Sequence, residues 1–108
     1  MSNLNHLLKP SSIAVVGASI QPMRAGNIVM KNLLLGGFEG AIMPVTPRYK
    51  SVSGVLAYRD IDSLPIVPDV AILCTHASRN IALFTQLVAK GVKSVIVLSA
   101  DMHEPSST

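Results

Sequence analysis

Short apolar runs alternate with amphipathic segments along most of the chain. Apolar runs rich in β-branched residues and bounded by turn residues predict strands at 13–16, 41–45, 54–58, 70–74 and 94–98. Two segments carry apolar residues at helical spacing instead, and they predict helices at 24–35 and 80–90, each followed by glycine. A shorter amphipathic stretch at 4–8 predicts one or two further helical turns.

This alternation of strands and helices predicts an α/β fold with a parallel sheet and crossover helices. We expect a Rossmann-like, doubly wound sheet of five strands in the order 3-2-1-4-5. Pro44 lies inside the second predicted strand, where it cannot donate to the sheet ladder. The apolar stripe of the second helix comprises Ile81, Phe84, Leu87 and Val88.

The end of the chain departs from this pattern. Residues 101–108 are polar and lack helical periodicity, whereas a doubly wound unit normally covers its last strand with another helix. We therefore expect residues 1–108 to be one incomplete domain of a larger multidomain protein. One face of the strand at 94–98 would then lack its cover, which favours a homo-oligomer.

Composition narrows the class of protein. With 108 residues, 49% of them hydrophobic and 14% charged, the chain suits one folded domain and is too apolar for a disordered segment. No apolar run is long enough to span a membrane, and the first ten residues lack a signal-peptide pattern. A single cysteine cannot form a disulfide framework, so we expect a cytoplasmic protein.

The net charge of +3 comes from basic residues that are spread singly along the chain. A nucleic-acid surface usually clusters its basic residues among aromatics, but aromatic residues make up only 4% here. The charge therefore favours a small anionic ligand over nucleic acid.

In open α/β sheets, ligands bind at the carboxyl ends of the strands, near the point where the strand order reverses. After the first strand, Gly17, Ala18 and Ser19 lead towards a helix start that contains Arg24 and Gly26. Small residues at this place let backbone N–H groups approach a phosphate, and the helix dipole favours its charge. The spacing is not that of the G-x-G-x-x-G fingerprint, and a tight turn without a ligand is the alternative.

The end of the second strand bears on which ligand is bound. NAD sites usually place an acidic residue there for the ribose, but this chain has Val45-Thr46-Pro47 followed by Arg48 and Lys50. Basic residues at that point favour a ribose phosphate, as in NADP or coenzyme A (CoA). Solvated loop charges are the other interpretation of Arg48 and Lys50.

The fourth and fifth predicted strands end at Thr75-His76 and at Ser99, which we expect to line the pocket. Cys74 precedes Thr75 and is expected in the core, because no orienting carboxylate suggests a nucleophile. No spacing of histidine and cysteine matches a metal site. A pocket lined by Val45, Pro47, Thr75, Ala77 and Ser99 would be narrow, would lack an aromatic shelf for nicotinamide and would suit a pantetheine arm.

Taken together, these segments resemble a known family. The runs 12–19, 36–38 and 45–47, with Gly26, Asn32-Leu33, Gly40 and Lys50, resemble the CoA-binding N-terminal domain of NDP-forming acyl-CoA synthetases. Leu64-Pro65, 68–71 and 91–93 fit the later part of the pattern, and 74–80 is similar to the branch fused to a GNAT domain, the bacterial protein lysine acetyltransferases.

The resemblance implies a domain that holds CoA or acetyl-CoA while chemistry takes place elsewhere in the parent protein. In this family the phosphohistidine belongs to the next domain and nucleotide binding to an ATP-grasp region, so this chain alone is expected to be non-catalytic. An NADP-binding oxidoreductase domain and a regulatory Rossmann domain with a vestigial pocket are the alternatives.

Overall fold

A computed structural model describes residues 10–98 of the protein. Its strands are β1 (Ser12–Val16), β2 (Ala41–Val45), β3 (Ser51–Val52), β4 (Val55–Leu56), β5 (Val70–Leu73) and β6 (Ser94–Val97). Its helices are α1 (Ala25–Leu35) and α2 (Ala77–Lys90), with a short 3-10 helix at Ile61–Ser63. The helix predicted at 4–8, the predicted site residue Ser99 and the polar end at 101–108 lie outside the described residues.

The main sheet is parallel throughout, and its four strands lie in the order β2-β1-β5-β6. The chain runs from β1 through α1 to β2 on one side, and then returns to place β5 on the other side of β1. The order therefore reverses between β1 and β5, as in a doubly wound sheet. This confirms the predicted Rossmann-like α/β class.

The third predicted strand forms a hairpin rather than a full member of the main sheet. Residues Ser53 and Gly54 both have positive φ, of 53° and 82°, which is the geometry of a two-residue hairpin turn. This turn folds β4 back on β3, with Val52 paired with Val55. Within residues 10–98, Tyr58 alone connects this segment to the main sheet, through a single parallel bridge to Val45, so the described sheet has four strands and not five.

The same bridge explains how Pro44 fits inside β2. Tyr58 donates its N–H to the Pro44 carbonyl at 2.8 Å, and Thr46 donates to the Tyr58 carbonyl at 2.8 Å. The backbone groups of residues 44 and 46 therefore face the outer edge, away from β1. The N–H that proline lacks would have pointed to that edge, so the ladder with β1 loses nothing.

Two hydrophobic cores lie on opposite faces of the sheet. Alternate residues of β1 separate into them: Ala14 and Val16 face one side, and Ile13 and Val15 face the other. The first core packs against α2 through the fully buried Leu87. The second packs against α1 through residues that include Met30, which is also fully buried.

The apolar stripe predicted for α2 is not the face that packs against the sheet. Of its four members only Leu87 is buried, while Ile81, Phe84 and Val88 are 82%, 47% and 52% exposed. Leu83, one turn before Leu87, completes the inward face. Since α2 covers β5 and β6 at the end of the described sheet, its outward flank has no neighbouring element among residues 10–98.

Among the described residues, neither helix has the length and apolar character that crossing a lipid bilayer requires.

Candidate functional site

A cavity of about 450 Å³ opens at the carboxyl ends of β1, β2 and β5, where the strand order reverses. Ten of the predicted site residues line it: Gly17, Ala18, Ser19, Arg24, Val45, Thr46, Pro47, Arg48, Thr75 and His76. The first four come from the loop of residues 17–24 between β1 and α1, which we call the β1 loop. The segments predicted after these strands therefore meet in one place.

Gly17 begins the β1 loop in a left-handed conformation, with φ of 91°. Its N–H donates to the Val45 carbonyl at 2.9 Å, which ties the loop to the end of β2. Its own Cα lies against the end of β5, because a Cβ there would approach the Thr75 methyl group to 2.8 Å. Gly17 thus joins the ends of three strands without a side chain.

Gly26 lies behind the β1 loop rather than in the cavity. A Cβ on Gly26 would lie 2.0 Å from the Gly17 carbonyl oxygen and 2.9 Å from the Ala18 Cα. The glycine therefore lets the first turn of α1 press against the backbone of the loop. It shapes the cavity from below without lining it.

The N-terminus of α1 has no side-chain cap. Arg24 occupies the N-cap position in an extended conformation, and its side chain makes no capping hydrogen bond. No acidic residue stands in the first turn either. The unpaired N–H groups and positive dipole end of α1 therefore remain available beside a cavity that Arg24 and Ala25 line.

The turn after β2 is fixed by Thr46, which is buried. Its N–H donates to Tyr58, and its Oγ1 accepts from the Arg48 N–H at 3.2 Å. This places Pro47 and Arg48 at the cavity wall. Lys50 lies outside the cavity, because its carbonyl accepts from Ala57 at 2.9 Å and so belongs to the hairpin.

At the end of β5, the Thr75 hydroxyl donates to Asn80 Oδ1 at 2.5 Å, which turns the Thr75 methyl group towards Gly17. His76 caps α2, and its Nδ1 accepts from the Ser78 N–H at 3.2 Å. The Ser78 hydroxyl also lies 3.0 Å from that Nδ1. The N-terminus of α2 is therefore capped by the protein itself, in contrast to that of α1.

Cys74 is buried, as expected, although it also contributes to the floor of the cavity. Burial raises the pKa of its thiol to about 12. The thiol is therefore protonated at neutral pH, which does not suit a nucleophile.

Sequence reasoning missed a second wall of the cavity. Its members come from the turn after β2, from the segment after the hairpin and from α2: Tyr49, Arg59, Asp60, Arg79, Leu83 and Gln86. Tyr49 corrects the expectation of a cavity without an aromatic side chain, while Ala77 does not line it. The third predicted strand ended at Tyr58, so the rule of strand ends already indicated the segment that contains Arg59.

The charges around the cavity are mainly positive. Arginines at positions 24, 48, 59 and 79 line it, and Asp60 is the acidic residue among the lining side chains. The Asp60 carboxylate accepts from the Ser63 hydroxyl at 2.7 Å and from the Ser63 N–H at 2.9 Å. The hydrogen bond from the Ser63 hydroxyl is the main reason why the pKa of Asp60 is lowered. The same carboxylate caps the 3-10 helix by accepting from the Ser63 N–H.

Residues 10–98 contain no cluster of three or more histidine, cysteine or acidic side chains that could hold a metal ion. Backbone N–H groups, a helix N-terminus and arginines line the cavity, and groups of these kinds can bind an anion.

Comparison with known proteins agrees with this geometry. A family model described as "CoA binding domain" matches residues 11–106. A trans-feruloyl-CoA synthase from an unknown prokaryotic organism is 33% identical over 94% of this chain, and the match covers 14% of that synthase. The α subunit of an ADP-forming acetate–CoA ligase II from Pyrococcus furiosus is also 33% identical over 94% of this chain, which spans 22% of that subunit.

Among solved structures, an ADP-bound acetyl-CoA synthetase from Ca. Korarchaeum cryptofilum superposes with a TM-score of 0.86 and 32% identity. The superposition covers 92% of this chain and 21% of that one. The chain thus spans about a seventh to just over a fifth of the length of these relatives. The relatives named here are synthases, synthetases and ligases, so the resemblance to the acetyltransferase branch gains no support from them.

The family model covers most of the chain, and the relatives and the structural neighbour carry the same kind of domain. The chain therefore belongs to the CoA binding domain family and corresponds to that domain of NDP-forming acyl-CoA synthetases.

Proposed function

We propose that the cavity at the ends of β1, β2 and β5 is where this chain holds CoA. The observation that carries the proposal is the contrast between the two helices beside the cavity. The N-terminus of α2 is capped by His76, whereas that of α1 is uncapped and faces the β1 loop. An anionic group such as a phosphate would complete α1 in the way that a capping carboxylate usually does.

Charge supports a ligand with several phosphates. Arg24 lies next to the uncapped helix end, and Arg48 lies across the cavity on the turn after β2. Arg59 and Arg79 add positive charge from the second wall. CoA carries a pyrophosphate and a ribose phosphate, so these separated arginines suit its charge distribution.

Size and polarity agree with a small-molecule site. A cavity of about 450 Å³ lies within the common range for ligand pockets of about 300–1,000 Å³. Its wall combines backbone groups, arginines and the apolar side chains of Val45, Leu83 and Tyr49. A nucleotide with an adenine ring and a flexible arm needs that combination of contacts.

Acetyl-CoA is a narrower version of the same proposal. It shares every phosphate with CoA, and the described cavity residues give no reason to separate the two. We propose that both bind, because the groups named above contact the part of the ligand that is the same in both.

For the whole protein we propose an NDP-forming acyl-CoA synthetase in which residues 1–108 form one CoA-holding module. In the synthase and in the ligase subunit named above, this region is only 14% and 22% of the length. This supports further domains of the whole protein as partners of the module. In this proposal the chain contributes binding and no catalytic side chain, since its buried thiol is protonated. A cytoplasmic location agrees with its single cysteine.

Calorimetric titration of the 108-residue chain tests the proposal, with CoA, acetyl-CoA and NADP as separate ligands at low and high salt. We expect micromolar binding of CoA and acetyl-CoA, weaker binding of NADP, and a loss of affinity as salt rises. NADP is included because Tyr49 gives the cavity an aromatic side chain on which a nicotinamide ring could stack. Tighter binding of NADP than of CoA, or no binding of CoA, contradicts the proposal.

A further inference from the structure

Asn27, the third residue of α1, has a polar side chain that is buried. It is 4% exposed, and its Nδ2 donates to the Ser19 carbonyl in the β1 loop at 3.0 Å. Within residues 10–98 its Oδ1 accepts no hydrogen bond, although that atom is buried. The side chain therefore has one satisfied end and one unsatisfied end.

The unsatisfied end should destabilise the fold, since a buried acceptor without a donor costs free energy. Reversing the amide does not remove this cost. It would place Oδ1 against the Ser19 carbonyl oxygen, two acceptors facing each other. An apolar residue at this position would carry no unsatisfied acceptor.

What Asn27 does provide is a fixed direction for one peptide of the β1 loop. In a trans peptide the C=O and the following N–H point to opposite sides. Since the Ser19 carbonyl points to Asn27 on α1, the N–H of Ile20 points away from the helix. The Gly17 carbonyl also lies against α1, at Gly26, so the N–H of Ala18 points away from the helix as well.

In the described part of the chain, no hydrogen bond occupies the N–H groups of Ala18 and Ile20. Two alternate peptides of the loop thus turn their donors outwards while their carbonyls rest on α1. Successive N–H groups on one side of a loop form a concave anion site. The Gly17 peptide is held by packing, but the Ser19 peptide is held by the single side-chain bond from Asn27.

We infer that Asn27 is a positioning residue for ligand binding: its Nδ2 holds the Ser19 peptide so that the β1 loop presents its N–H groups to a phosphate. This inference rests on the proposed CoA site. Asn27 touches no ligand itself, because it lies behind the loop and outside the cavity.

The test separates fold stability from loop order and from affinity. Asn27→Ala removes both the donor and the unsatisfied acceptor without adding volume, and Asn27→Asp keeps the shape but exchanges the donor for an acceptor. Asn32→Ala is the matched control, because Asn32 lies on the same helix and is exposed. For each variant of the 108-residue chain, thermal unfolding, backbone ¹⁵N NMR order parameters and the Kd for CoA are measured.

For Asn27→Ala we expect a Tm close to that of the wild type, lower backbone order parameters confined to residues 18–21, and about tenfold weaker CoA binding. The Tm changes little because the variant loses the Ser19 bond and the unsatisfied acceptor together. Asn27→Asp should loosen the same residues and weaken binding at least as much, so it replaces the alanine variant if that one does not fold. A purely structural role predicts instead a lower Tm with order parameters lowered across α1 and β1.

Unchanged order parameters at residues 18–21 in both variants overturn the inference, whatever the affinities are. If the wild type does not bind CoA, the proposed function fails, but the order parameters still decide whether Asn27 orders the loop. If CoA binds equally to wild type and to a variant whose loop is loosened, the loop donors are not part of the site and the positioning role is overturned.

Discussion

A Cβ atom on Gly26 would lie 2.0 Å from the carbonyl oxygen of Gly17. The two glycines are nine positions apart in sequence, and each needs the absence of a side chain for a different reason. Gly17 requires a positive φ, while Gly26 is helical and requires only space. The contact fixes how closely α1 approaches the end of β1, and hence the floor of the cavity.

Gly26→Ala should therefore destabilise the protein, although alanine normally stabilises a helix relative to glycine by about 0.5–1 kcal/mol. The atoms that the new methyl group meets are backbone atoms of Gly17 and Ala18, which cannot rotate away. We expect a net loss of about 1–3 kcal/mol, as for other overpacked positions. Chemical denaturation measures the loss, and CoA titration should show weaker binding because the loop is displaced.

Asn32→Ala on the exposed side of the same helix provides the comparison. There the substitution should change stability by less than about 0.5 kcal/mol. A Gly26→Ala variant as stable as the wild type, with unchanged affinity, contradicts the close packing of α1 on the β1 loop.

Gly17→Ala should destabilise the protein even without a ligand, because the new methyl group meets residues at the end of β5. Its Cβ would meet the Thr75 methyl group at 2.8 Å, and the positive φ of Gly17 adds about 1–2 kcal/mol of backbone strain. Thr75→Ser removes that methyl group but keeps the hydroxyl that bonds Asn80. We expect the double variant to be more stable than the sum of the single changes predicts.

A double-mutant cycle of urea denaturation measures this coupling, which should amount to about 0.5–1 kcal/mol. Gly17→Val would retain a residual loss in the Thr75→Ser background, because the Cys74 backbone also lies 3.0 Å from the Cβ position. Additive effects of Gly17→Ala and Thr75→Ser would contradict the contact.

The sequence predicted the parts of this molecule that depend on local patterns. The strands that became β1, β2, β5 and β6 are continuous apolar runs, and such runs identify buried parallel strands. Their carboxyl ends follow from topology alone, so Gly17, Thr46 and Thr75 could be assigned to one cavity before their positions were known.

Three features were not predicted in the same way. The run at 54–58 has strand composition, but the positive φ values of Ser53 and Gly54 make it the return strand of a hairpin. Helix α2 carries apolar residues on two faces, and their periodicity does not indicate which face packs against the sheet. Tyr49 and Arg79 line the cavity because of where the hairpin and α2 pack, and no motif indicates them.

Arg24→Gln should weaken CoA binding by about tenfold and reduce its dependence on salt, without a loss of stability. Arg24 is exposed and occupies the N-cap position of α1, but its side chain makes no capping hydrogen bond, so the fold does not need its charge. A phosphate near the helix end does need it under the proposed function. Lys31→Gln on the same helix, also exposed but not lining the cavity, should leave the Kd unchanged and exclude a general effect of net charge.

Stability should fall as the pH rises from about 9 towards 12, through Cys74. The pKa of this thiol is about 12 in the folded protein against 9.0 for an unburied thiol, because burial disfavours the thiolate. Below pH 9 both states bind the proton and the thiol adds no pH dependence. Above it the unfolded state loses the proton first, so unfolding becomes progressively more favourable.

Cys74→Ala isolates this effect from the titration of tyrosine and lysine residues. The difference in unfolding free energy between wild type and variant should be constant up to about pH 9 and should then shift in favour of the variant. A difference that stays constant across this pH range would contradict the burial of the thiol in the folded state.

The outer edge of β6 should make the 108-residue chain self-associate. Ile96, Val97 and Leu98 are 39%, 50% and 36% exposed on a strand that is the last of the described sheet, and Phe84 on α2 is 47% exposed. Contiguous apolar side chains beside an unpaired strand edge favour association. We expect a concentration-dependent dimer or larger species by sedimentation velocity, and Ile96→Lys should shift it towards monomer without lowering Tm.

Ile28→Lys is the control, because Ile28 is similarly exposed at 48% but lies on α1 and not on β6. It should leave association unchanged, since the added charge is the same and only its position differs. A wild-type chain that stays monomeric up to millimolar concentration would contradict association through β6. Equal dissociation by both variants would point to net charge as the cause instead of this strand.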